Sequence, residues 1–428
     1  MKHLQSLAQA ETEPCGDTCT EDRLRARVCD IGDRLRTSLA AVAAALPGAP
    51  TRPLELSKAL RVNQVLAGKV LQAIRKHDPL LSTHLMPGPE ALRTLLRGAT
   101  AARVGRALIE PAETAVDAFD DLLRRVVGGR SELDAAIGAW LPEARRRFES
   151  SAKQAAFRAM CSIKGLTADL LLTTSIAHPS VDGHVDGATL QGALGLRRIR
   201  PGVPVGLTNE LVGQHGDRGP RWESLDGTPI GNTFAKLLLR EFTTPPGTTI
   251  ETRQVGDRVR YLLDGDRLGL GSTANLFLAD MLRNGMPLKS EPDSPRVFAT
   301  ACIVGIPART VVMDMLVHRS VWTDRALSLG VYETAVHGSC DVNSPDSELA
   351  RLHLEENVQY LGEGIENFRS GDVPLYLELL QHAFNQLGWR ASEFRGYRVC
   401  VSYPVYGSQI CLEFHPPGKP GTIAAYAG

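Results

Sequence analysis

Residues 55–76 read ELSKALRVNQVLAGKVLQAIRK, two short stretches separated by the tripeptide RVN. Apolar residues recur every three or four positions on both sides of the break, which predicts two helices joined by a tight turn. Asn63 stands where a cap opens the second helix, because its side chain can accept a hydrogen bond from a backbone N–H two or three residues further on. The stretch therefore predicts a helical pair.

The spacing of small and apolar residues fits helices that cross at a steep angle. Such a crossing requires apolar side chains at fixed offsets and a small residue at the contact, which Ser57 supplies. A steep crossing lets the second helix lie in the major groove of DNA while the first braces it. The apolar set consists of Leu56, Leu60, Val62, Ala67 and Val70.

This stretch resembles the helix-turn-helix of bacterial transcription regulators, whose usual run is close to ELAKALGVSxxTVSRVLxAI. The resemblance covers about residues 20–90, counting the preceding helix as the first of a three-helix unit. It implies that the outward residues of the second helix face double-stranded DNA. These residues are Asn63, Gln64, Val65, Gly68, Lys69 and Gln72. Amide side chains can pair with adenine edges, and lysine can pair with guanine or phosphate.

The same stretch is rich in positive charge. Between Arg52 and Lys76 there are six basic residues and one acidic residue, Glu55, which suits a surface that binds phosphates. The residues expected to meet phosphates are Arg52, Lys58, Arg61, Arg75 and Lys76. The alternative is a helical pair used for packing or protein contact, with its basic residues forming a solvated face.

Two positions depart from the family's pattern. Arg61 stands where the turn usually has glycine, and arginine adopts the left-handed conformation only at a cost of about 1 kcal/mol. Gly68 occupies a position that often carries a base-reading side chain. It either lets the backbone approach DNA closely or reads no base.

Residues 80–89, LLSTHLMPGP, are interpreted as a short β wing.

Composition sets the broad class of protein. The chain has 428 residues, with 48 basic and 48 acidic side chains, so its net charge demands no acidic partner. The N-terminus lacks the apolar core of a signal peptide, and no apolar run is long enough for a membrane helix. The eight cysteines are dilute, and the six that stand singly are interpreted as reduced thiols, which predicts a cytoplasmic protein without membrane contact.

The periodicity changes near residue 150, from almost entirely helical to mixed. The predicted fold class is α+β, with an N-terminal all-helical winged helix-turn-helix domain followed by a mixed α/β domain. The predicted boundaries are a disordered tail at 1–20, a helical domain at 21–150, and two α+β lobes at 151–300 and 301–428. Within 394–414, FRGYRVCVSYPVYGSQICLEF is the strongest strand signal and predicts a core or interface strand.

The two lobes show signs of internal duplication. ADLLLTTSIAHPSV at 168–181 aligns without gaps on ARTVVMDMLVHRSV at 308–321, which superposes His178 on His318. AKLLLREF, ending at Phe242, resembles LELLQHAF, ending at Phe384, at nearly the same offset. A duplication would give two similar lobes about a pseudo-twofold axis. If the lobes share a cleft, the two histidines are candidate ligand-sensing or proton-sensing residues. The alternative is that each histidine ends a buried strand and bonds locally.

Three segments carry residues of the types that catalysis or metal binding uses, and each has a simpler interpretation. Asp182, His184 and Asp186 alternate and could share a cation on a strand, but the segment is typical of a turn-rich loop. Residues 268–282, LGLGSTANLFLADML, are interpreted as an ordinary helix start, without a phosphate-binding pattern. Cys340 lies near His337 and Asp341, yet sequence neighbours rarely form a catalytic dyad. We therefore expect no catalytic residue, metal site or cofactor.

These features predict a DNA-binding transcriptional regulator with a C-terminal ligand-sensing or oligomerisation domain. The expected partners are double-stranded DNA, a second copy in a homodimer or higher homo-oligomer, and a small-molecule effector. Two alternatives remain from other classes. One is a self-assembling or scaffold protein in which the helix-turn-helix is structural, and the other is an enzyme with its site in the α+β half.

Overall fold

The structure is a computed structural model that divides the chain into two compact units, Met1–Glu149 and Ser150–Gly428. It describes residues 16–181, 183–211, 221–229, 237–248, 250–255, 258–263, 271–289, 296–336 and 338–416. The first unit is helical and the second is rich in β-sheet, so the coarse α+β prediction is confirmed. Among the described residues, no helix combines the length and the apolarity that a membrane crossing needs.

Nine α-helices are described, and the chain passes from one unit to the other within the eighth. Their bounds are α1 Gly16–Ala44, α2 Pro53–Leu60, α3 Gln64–Ile74, α4 Pro79–Leu85, α5 Pro89–Ala101, α6 Arg106–Asp121, α7 Arg130–Trp140, α8 Pro142–Lys164 and α9 Tyr376–Leu387. Helix α1 begins inside the segment 1–20 that composition predicts as a tail, and a π-helical turn, Leu122–Val127, follows α6. One apolar core joins α1 through α7.

The segment expected to form a wing contains no strand, because residues 80–85 belong to α4 and α5 begins at Pro89, so that prediction is wrong for residues 80–89. Asp78 caps α4, its carboxylate accepting from the Leu81 N–H at 3.0 Å, and Pro79 occupies the first turn, where its missing N–H costs nothing. Ser82 lies fully buried and donates to the Ala73 carbonyl at 3.1 Å, which fastens α4 to α3. An Asp-Pro start and this buried contact favour a helix over a strand.

Thirteen strands are described in the second unit. Their bounds are β1 Leu166–Pro179, β2 His184–Arg198, β3 Val205–Leu211, β4 Arg221–Glu223, β5 Ile250–Val255, β6 Arg258–Leu263, β7 Ala274–Pro287, β8 Phe298–Ile303, β9 Ala308–His318, β10 Ala326–Glu333, β11 Val358–Glu363, β12 Phe394–Ser402 and β13 Ser408–His415. They form a seven-stranded sheet in the order β11-β12-β9-β1-β2-β7-β4 and two three-stranded sheets, β10-β13-β8 and β3-β6-β5. In the large sheet β1 and β9 are parallel, and its other neighbouring strands are antiparallel.

The large sheet is covered on both faces. Alternate residues of its central strands, such as Leu171 and Val311, share a core with Leu412 of the β10-β13-β8 sheet. The intervening residues, such as Ile176, share a second core with Phe384 of α9. Because both faces of β1 and β9 are buried, these strands contain consecutive apolar residues, such as Leu170–Leu172 and Met315–Val317, rather than a strict alternation of apolar and polar residues.

The two segments that align in sequence lie side by side. Ala168 pairs with Ala308, and the register continues to Ala177 beside Val317, which is the alignment offset of 140 residues throughout. The second pair of segments differs, because Leu377–Phe384 of LELLQHAF is in α9 whereas the described residues 237–242 of AKLLLREF are not helical. The regions expected as two lobes therefore share one sheet.

Two predictions for the second unit have clear outcomes. The helix expected within 268–282 is wrong, because Ala274–Pro287 forms the long strand β7, paired with β2. The strand expected within 394–414 is confirmed, since β12 lies between β11 and β9 with Val399 and Val401 buried.

Candidate nucleic-acid interface

The turn between α2 and α3 is held by local hydrogen bonds. The Ser57 hydroxyl donates to the Val62 carbonyl at 2.6 Å, and the Val62 N–H donates to the Ser57 carbonyl at 3.1 Å. Arg61 lies between them in the left-handed conformation, with φ 53° and ψ 43°. The turn therefore takes the conformation that glycine usually supplies, at some backbone cost to arginine.

The ends of the two helices are also tied down. The Asn63 side chain caps α3 by accepting from the Val65 N–H at 2.7 Å. Glu55, the single acidic residue of the stretch, accepts from the backbone N–H groups of Thr51 and Arg52 at 3.3 and 3.2 Å. The Arg75 guanidinium at the end of α3 donates to the Thr51 carbonyl before α2. These bonds fix both helices relative to each other.

The inner faces of α2 and α3 pack against the core of the helical unit. Leu56, Leu60, Ala67 and Val70 are buried in the core of the helical unit. Helix α5 approaches so closely that a Cβ at Gly98 would collide with the Leu60 carbonyl oxygen. The apolar set predicted from the sequence is thus buried, except that Val62 is half-buried.

The residues predicted to face DNA lie on the opposite, outward side. All eleven are exposed except Gly68 and Lys76, which are half-buried. Val65 is 66% exposed although it is apolar, whereas a Cβ at Gly68 would lie 3.7 Å from the Pro53 ring. Gln64, Lys69 and Gln72 follow one another along this side of α3 and present two amides and an ammonium to the outside.

The positive charges of this surface differ from those on the rest of the unit. Within the described part of the chain, no carboxylate pairs with the six basic residues of the stretch, Arg52, Lys58, Arg61, Lys69, Arg75 and Lys76. Elsewhere in the unit arginines are commonly paired: Arg125 lies 2.9 Å from Asp121, and Arg93 lies within 2.9 Å of three carboxylates. The α2–α3 surface therefore keeps its charge available for a partner.

In the second unit, the two aligned histidines come into contact. The ring centroids of His178 and His318 are 5.0 Å apart in an edge contact, and His178 stacks on Trp389 at 4.7 Å. The neighbouring carboxylates are Glu393, whose Oε2 lies 3.5 Å from His318 Nε2, and Asp186, which pairs with His178 across β2. The two imidazoles form one half-buried cluster.

Hydrogen bonds indicate the proton positions in this cluster. His318 Nδ1 accepts from the Ser320 N–H at 3.2 Å, so a neutral ring carries its proton on Nε2, toward Glu393. His178 Nδ1 lies 2.8 Å from the Pro179 carbonyl oxygen and must donate to it. Burial, and secondly the nearby His318 ring, lower the pKa of His178 below 6.5, so the neutral form of that ring is favoured.

The proposed metal ligands do not come together. Asp182 lies outside the described residues, and His184 is exposed at the start of β2. Asp186 is 8% exposed and is already used, because it accepts from Arg283 and from the Asn284 N–H, both at 2.9 Å. Over the described ranges, no group of three histidine, cysteine or acidic residues could hold a metal ion.

A serine, a histidine and a glutamate meet in the β10-β13-β8 sheet, but not in a catalytic arrangement. Ser328 Oγ lies 2.6 Å from His415 Nε2, and Glu413 Oε2 lies 3.3 Å from the same nitrogen, whereas a catalytic triad orients the opposite ring nitrogen. Ser328 is 3% exposed, so a substrate would not reach it. The Tyr332 hydroxyl also donates to Glu413, and His415 and Tyr332 together hold the pKa of that carboxyl below its ordinary value despite burial.

The thiol considered in the sequence, Cys340, is half-buried, and burial raises its pKa. Its neighbour His337 lies outside the described residues.

Sequence reasoning missed a buried ionic network at the centre of the large sheet. The Asp314 carboxylate accepts two hydrogen bonds from Arg398, at 2.8 and 2.6 Å, and one from the Tyr376 hydroxyl at 2.6 Å. Arg398 also donates to the carbonyls of Arg369 and Phe368, each at 2.7 Å. Burial and the adjacent carboxylate raise the pKa of Tyr376 well above 10, which keeps its proton available for the bond. The sequence does contain a sign of this network, because each of two apolar strand segments, VVMDMLV and YRVCV, includes one charged residue.

Comparisons with known proteins give no family for this chain. No family model matches it, and no curated protein matches it. Among solved structures, the chain is similar to a protein provisionally named a protease, from Parabacteroides distasonis ATCC 8503, with a TM-score of 0.24 and 8% identity. The similarity covers 59% of this chain and 41% of that chain, so the chain spans less than half of that protein. A likeness this weak carries no conclusion about fold or activity.

Proposed function

We propose that the protein is a DNA-binding transcriptional regulator and that the α2–α3 surface contacts double-stranded DNA. The supporting observation is the charge pattern: the six basic side chains of this surface stand together without a carboxylate partner among the described residues, whereas many arginines elsewhere in the unit, such as Arg93, Arg124 and Arg130, have one or more. Binding phosphates releases condensed counterions, and unpaired cations gain most from this exchange because they break no ion pair.

In this proposal, α3 lies in the major groove. Gln64, Lys69 and Gln72 contact base edges, while Arg52, Lys58 and Arg61 contact phosphates on either side. Asn63 contributes less than the sequence suggests, because its side-chain oxygen already caps α3 and cannot also accept from an adenine amino group at full strength. Gly68 reads no base, and its small size lets the helix backbone approach the groove.

One α2–α3 pair makes few base contacts, so we infer that the protein binds as a homodimer or higher homo-oligomer in the cytoplasm. A twofold-symmetric pair would place its two α3 helices one DNA turn apart, ~34 Å. The second unit would supply the oligomer contact or sense an effector. His178 and His318 are the candidate sensing residues, since their rings touch and protonation of either one would repel the other.

We also infer that β1 and β9 descend from an internal duplication. The sequence alignment of the two segments and their register in the sheet have the same offset at every paired position. Neighbouring parallel strands in a common register present equivalent side chains to the same face, which suits a repeated strand placed beside its copy. The relation is then closer to a translation than to the pseudo-twofold axis of separate lobes.

The decisive experiment is selection of bound genomic fragments by the purified full chain, beside the variant Gln64→Ala, Lys69→Ala. Arg125→Ala is the matched control, because it removes one exposed positive charge from a paired site on the same unit. We expect a recurrent sequence that is lost in the double variant and kept in the control. Retention of no DNA, or equal retention by all three proteins, would overturn the proposal and favour an assembly or catalytic role for the second unit.

A further inference from the structure

The second unit contains a cavity of about 620 Å³ on the β1 side facing the β10-β13-β8 sheet. Residues of β1, β2 and β7 form one wall, and residues 301–306, in β8 and the turn after it, form the other. This volume lies within the ~300–1,000 Å³ typical of small-molecule sites. The cavity is on the face of β1 opposite to the histidine cluster, because Thr173 lines the cavity and successive side chains alternate between faces.

The cavity is long and is lined mostly by apolar side chains. Its lining on β1 begins at Leu166 and extends to Thr173, a length of roughly 20 Å at the usual rise of a strand. Leu171, Ala193, Leu276 and Ile306 contribute apolar wall. A volume of 620 Å³ spread over that length leaves a narrow cross-section, which fits an extended chain better than a compact ring system.

One end of the cavity is positively charged. Among the described lining residues, Lys164 is the only one with a formal charge, since burial raises the pKa of the Cys302 thiol and keeps it neutral. The Lys164 ammonium lies 5.4 Å from the centre of the Tyr406 ring and has no carboxylate partner in the part of the chain that the structure describes. An anionic group at this end would neutralise it.

The other end is polar but uncharged. Thr173 and Gln191 are paired across β1 and β2, and both line the cavity. The Thr173 hydroxyl is hydrogen bonded to the Cys302 thiol, whereas the Gln191 amide makes no hydrogen bond to any described residue. The cavity therefore has a cation at one end, an apolar middle and a free amide at the other.

We propose that this cavity binds an extended amphipathic carboxylic acid, with the carboxylate at Lys164 and the apolar chain along β1. The inference rests on the ligand-sensing part of the proposed function and places the effector in this cavity, so that His178 and His318, on the other face of β1, are left to respond to protons. It requires no DNA, so it can be tested separately from the α2–α3 surface.

The test is direct binding of 11-(dansylamino)undecanoate to the full chain without DNA, followed by displacement with tetradecanoate or with tetradecanol. Lys164→Met keeps the apolar stem of the side chain and removes its charge. We expect this variant to bind tetradecanoate about tenfold or more weakly, because a charge-assisted contact is lost, while tetradecanol binding stays within about twofold. Lys289→Met, which removes an exposed lysine outside the cavity lining, is the matched control and should bind as the unsubstituted protein does.

A second variant tests the cavity itself. Ala193→Phe fills the wall and should weaken both ligands together, and its melting temperature shows whether it has folded. If it does not fold, Lys164→Met with its two ligands still decides the question. No binding of the dansyl probe, or equal binding of the acid by the unsubstituted protein and Lys164→Met, would overturn the proposal. Binding of the acid by a protein that retains no DNA would uphold this site and reject the regulator.

Discussion

At the scale of single residues, Asp314 illustrates how a charge can be accommodated inside an apolar sheet. Its side chain is 0% exposed, and its two oxygens receive three hydrogen bonds from Arg398 and Tyr376. A buried ion pair of this kind adds little net stability over an apolar replacement, but removal of one partner leaves an uncompensated charge. The network therefore specifies how β9, β12 and α9 pack together.

Replacing Asp314 with asparagine should destabilise the second unit by about 3–5 kcal/mol, because Arg398 would remain buried without its counter-charge. Tyr376→Phe removes no charge, although it removes the hydrogen bonds of the hydroxyl to Asp314 and Thr174, and it should cost less, about 1–3 kcal/mol. Urea unfolding monitored by tryptophan fluorescence would measure the free energy of unfolding of both variants. An equal loss of stability in the two variants would show that the uncompensated charge of Arg398 is not the main cause of the destabilisation.

His178 should make stability depend on pH. Its pKa is lowered in the folded protein, so the unfolded chain takes up the proton first as pH falls through about 6.5. The contribution of His178 is therefore fully present above pH 6.5 and is lost below it. We expect the melting temperature to fall between pH 7 and pH 5, and to fall less in His178→Gln. An identical pH dependence in the variant would contradict this assignment.

The pKa of Glu413 is also lowered in the folded protein, so its contribution to stability is lost only at more acidic pH, below 4.5, outside the range of this measurement.

At the scale of secondary-structure elements, the α2–α3 turn combines two demands in one residue. Arg61 holds a left-handed backbone conformation, with φ 53°, and also presents an unpaired cation at the edge of the candidate DNA surface. Glycine would satisfy the backbone better, whereas in the proposed function arginine contacts a phosphate. If the proposal holds, Arg61 strengthens DNA binding at the expense of local stability.

Arg61→Gly should therefore change stability and DNA affinity in opposite directions. Relief of the left-handed conformation should stabilise the helical unit by up to about 1 kcal/mol, after the greater chain entropy of glycine is counted. The same change should weaken DNA binding. Arg61→Ala is the control, because it removes the charge and keeps the backbone cost. Thermal unfolding and fluorescence anisotropy on DNA measure the two effects, and unchanged affinity in both variants would remove Arg61 from the interface.

Local signals predicted some elements well and others poorly. Apolar spacing and the Asn63 cap predicted α2 and α3, and an apolar run flanked by Gly and Pro predicted β12. Residues 274–282 were predicted as a helix because Ala, Leu, Phe and Met follow a Gly-Ser-Thr turn, yet they form β7 through pairing with β2. Such pairing joins distant segments and can override local propensity, so it leaves no mark in a short window.

Some candidate sites could be predicted from the sequence and others could not. The outward residues of α3 were predicted from the resemblance to a helix-turn-helix, and the structure exposes all of them except Gly68, which is half-buried. The contact between His178 and His318 was proposed only from the sequence alignment, and the two segments are in fact neighbours in one sheet. The cavity had no signal in the sequence, because its walls come from strands far apart in the chain.

At the scale of the whole molecule, DNA binding should depend strongly on salt. Each neutralised phosphate contributes about −0.9 to the slope of log affinity against log salt concentration. The three residues assigned to phosphates, Arg52, Lys58 and Arg61, then predict a slope near −5 for a homodimer, about −2.7 from each protomer. Lys58→Ala removes one such contact from each protomer and should reduce the magnitude by about 2, whereas Arg125→Ala should leave it unchanged. Anisotropy titrations at several salt concentrations would measure this, and a slope near zero would argue against a phosphate interface.

The parallel pairing of β1 and β9 has a consequence for how the protein is made. The residues of β1 between Ala168 and Ala177 pair with residues that are synthesised 140 positions later in the chain. At a synthesis rate of about 5–20 residues per second, that delay is roughly 7–28 s on the ribosome. During this time β1 has β2 on one side and an open, apolar edge on the other, which nascent chains nearby could join. Production of the protein in a host cell should therefore depend on chaperones that bind chains during translation.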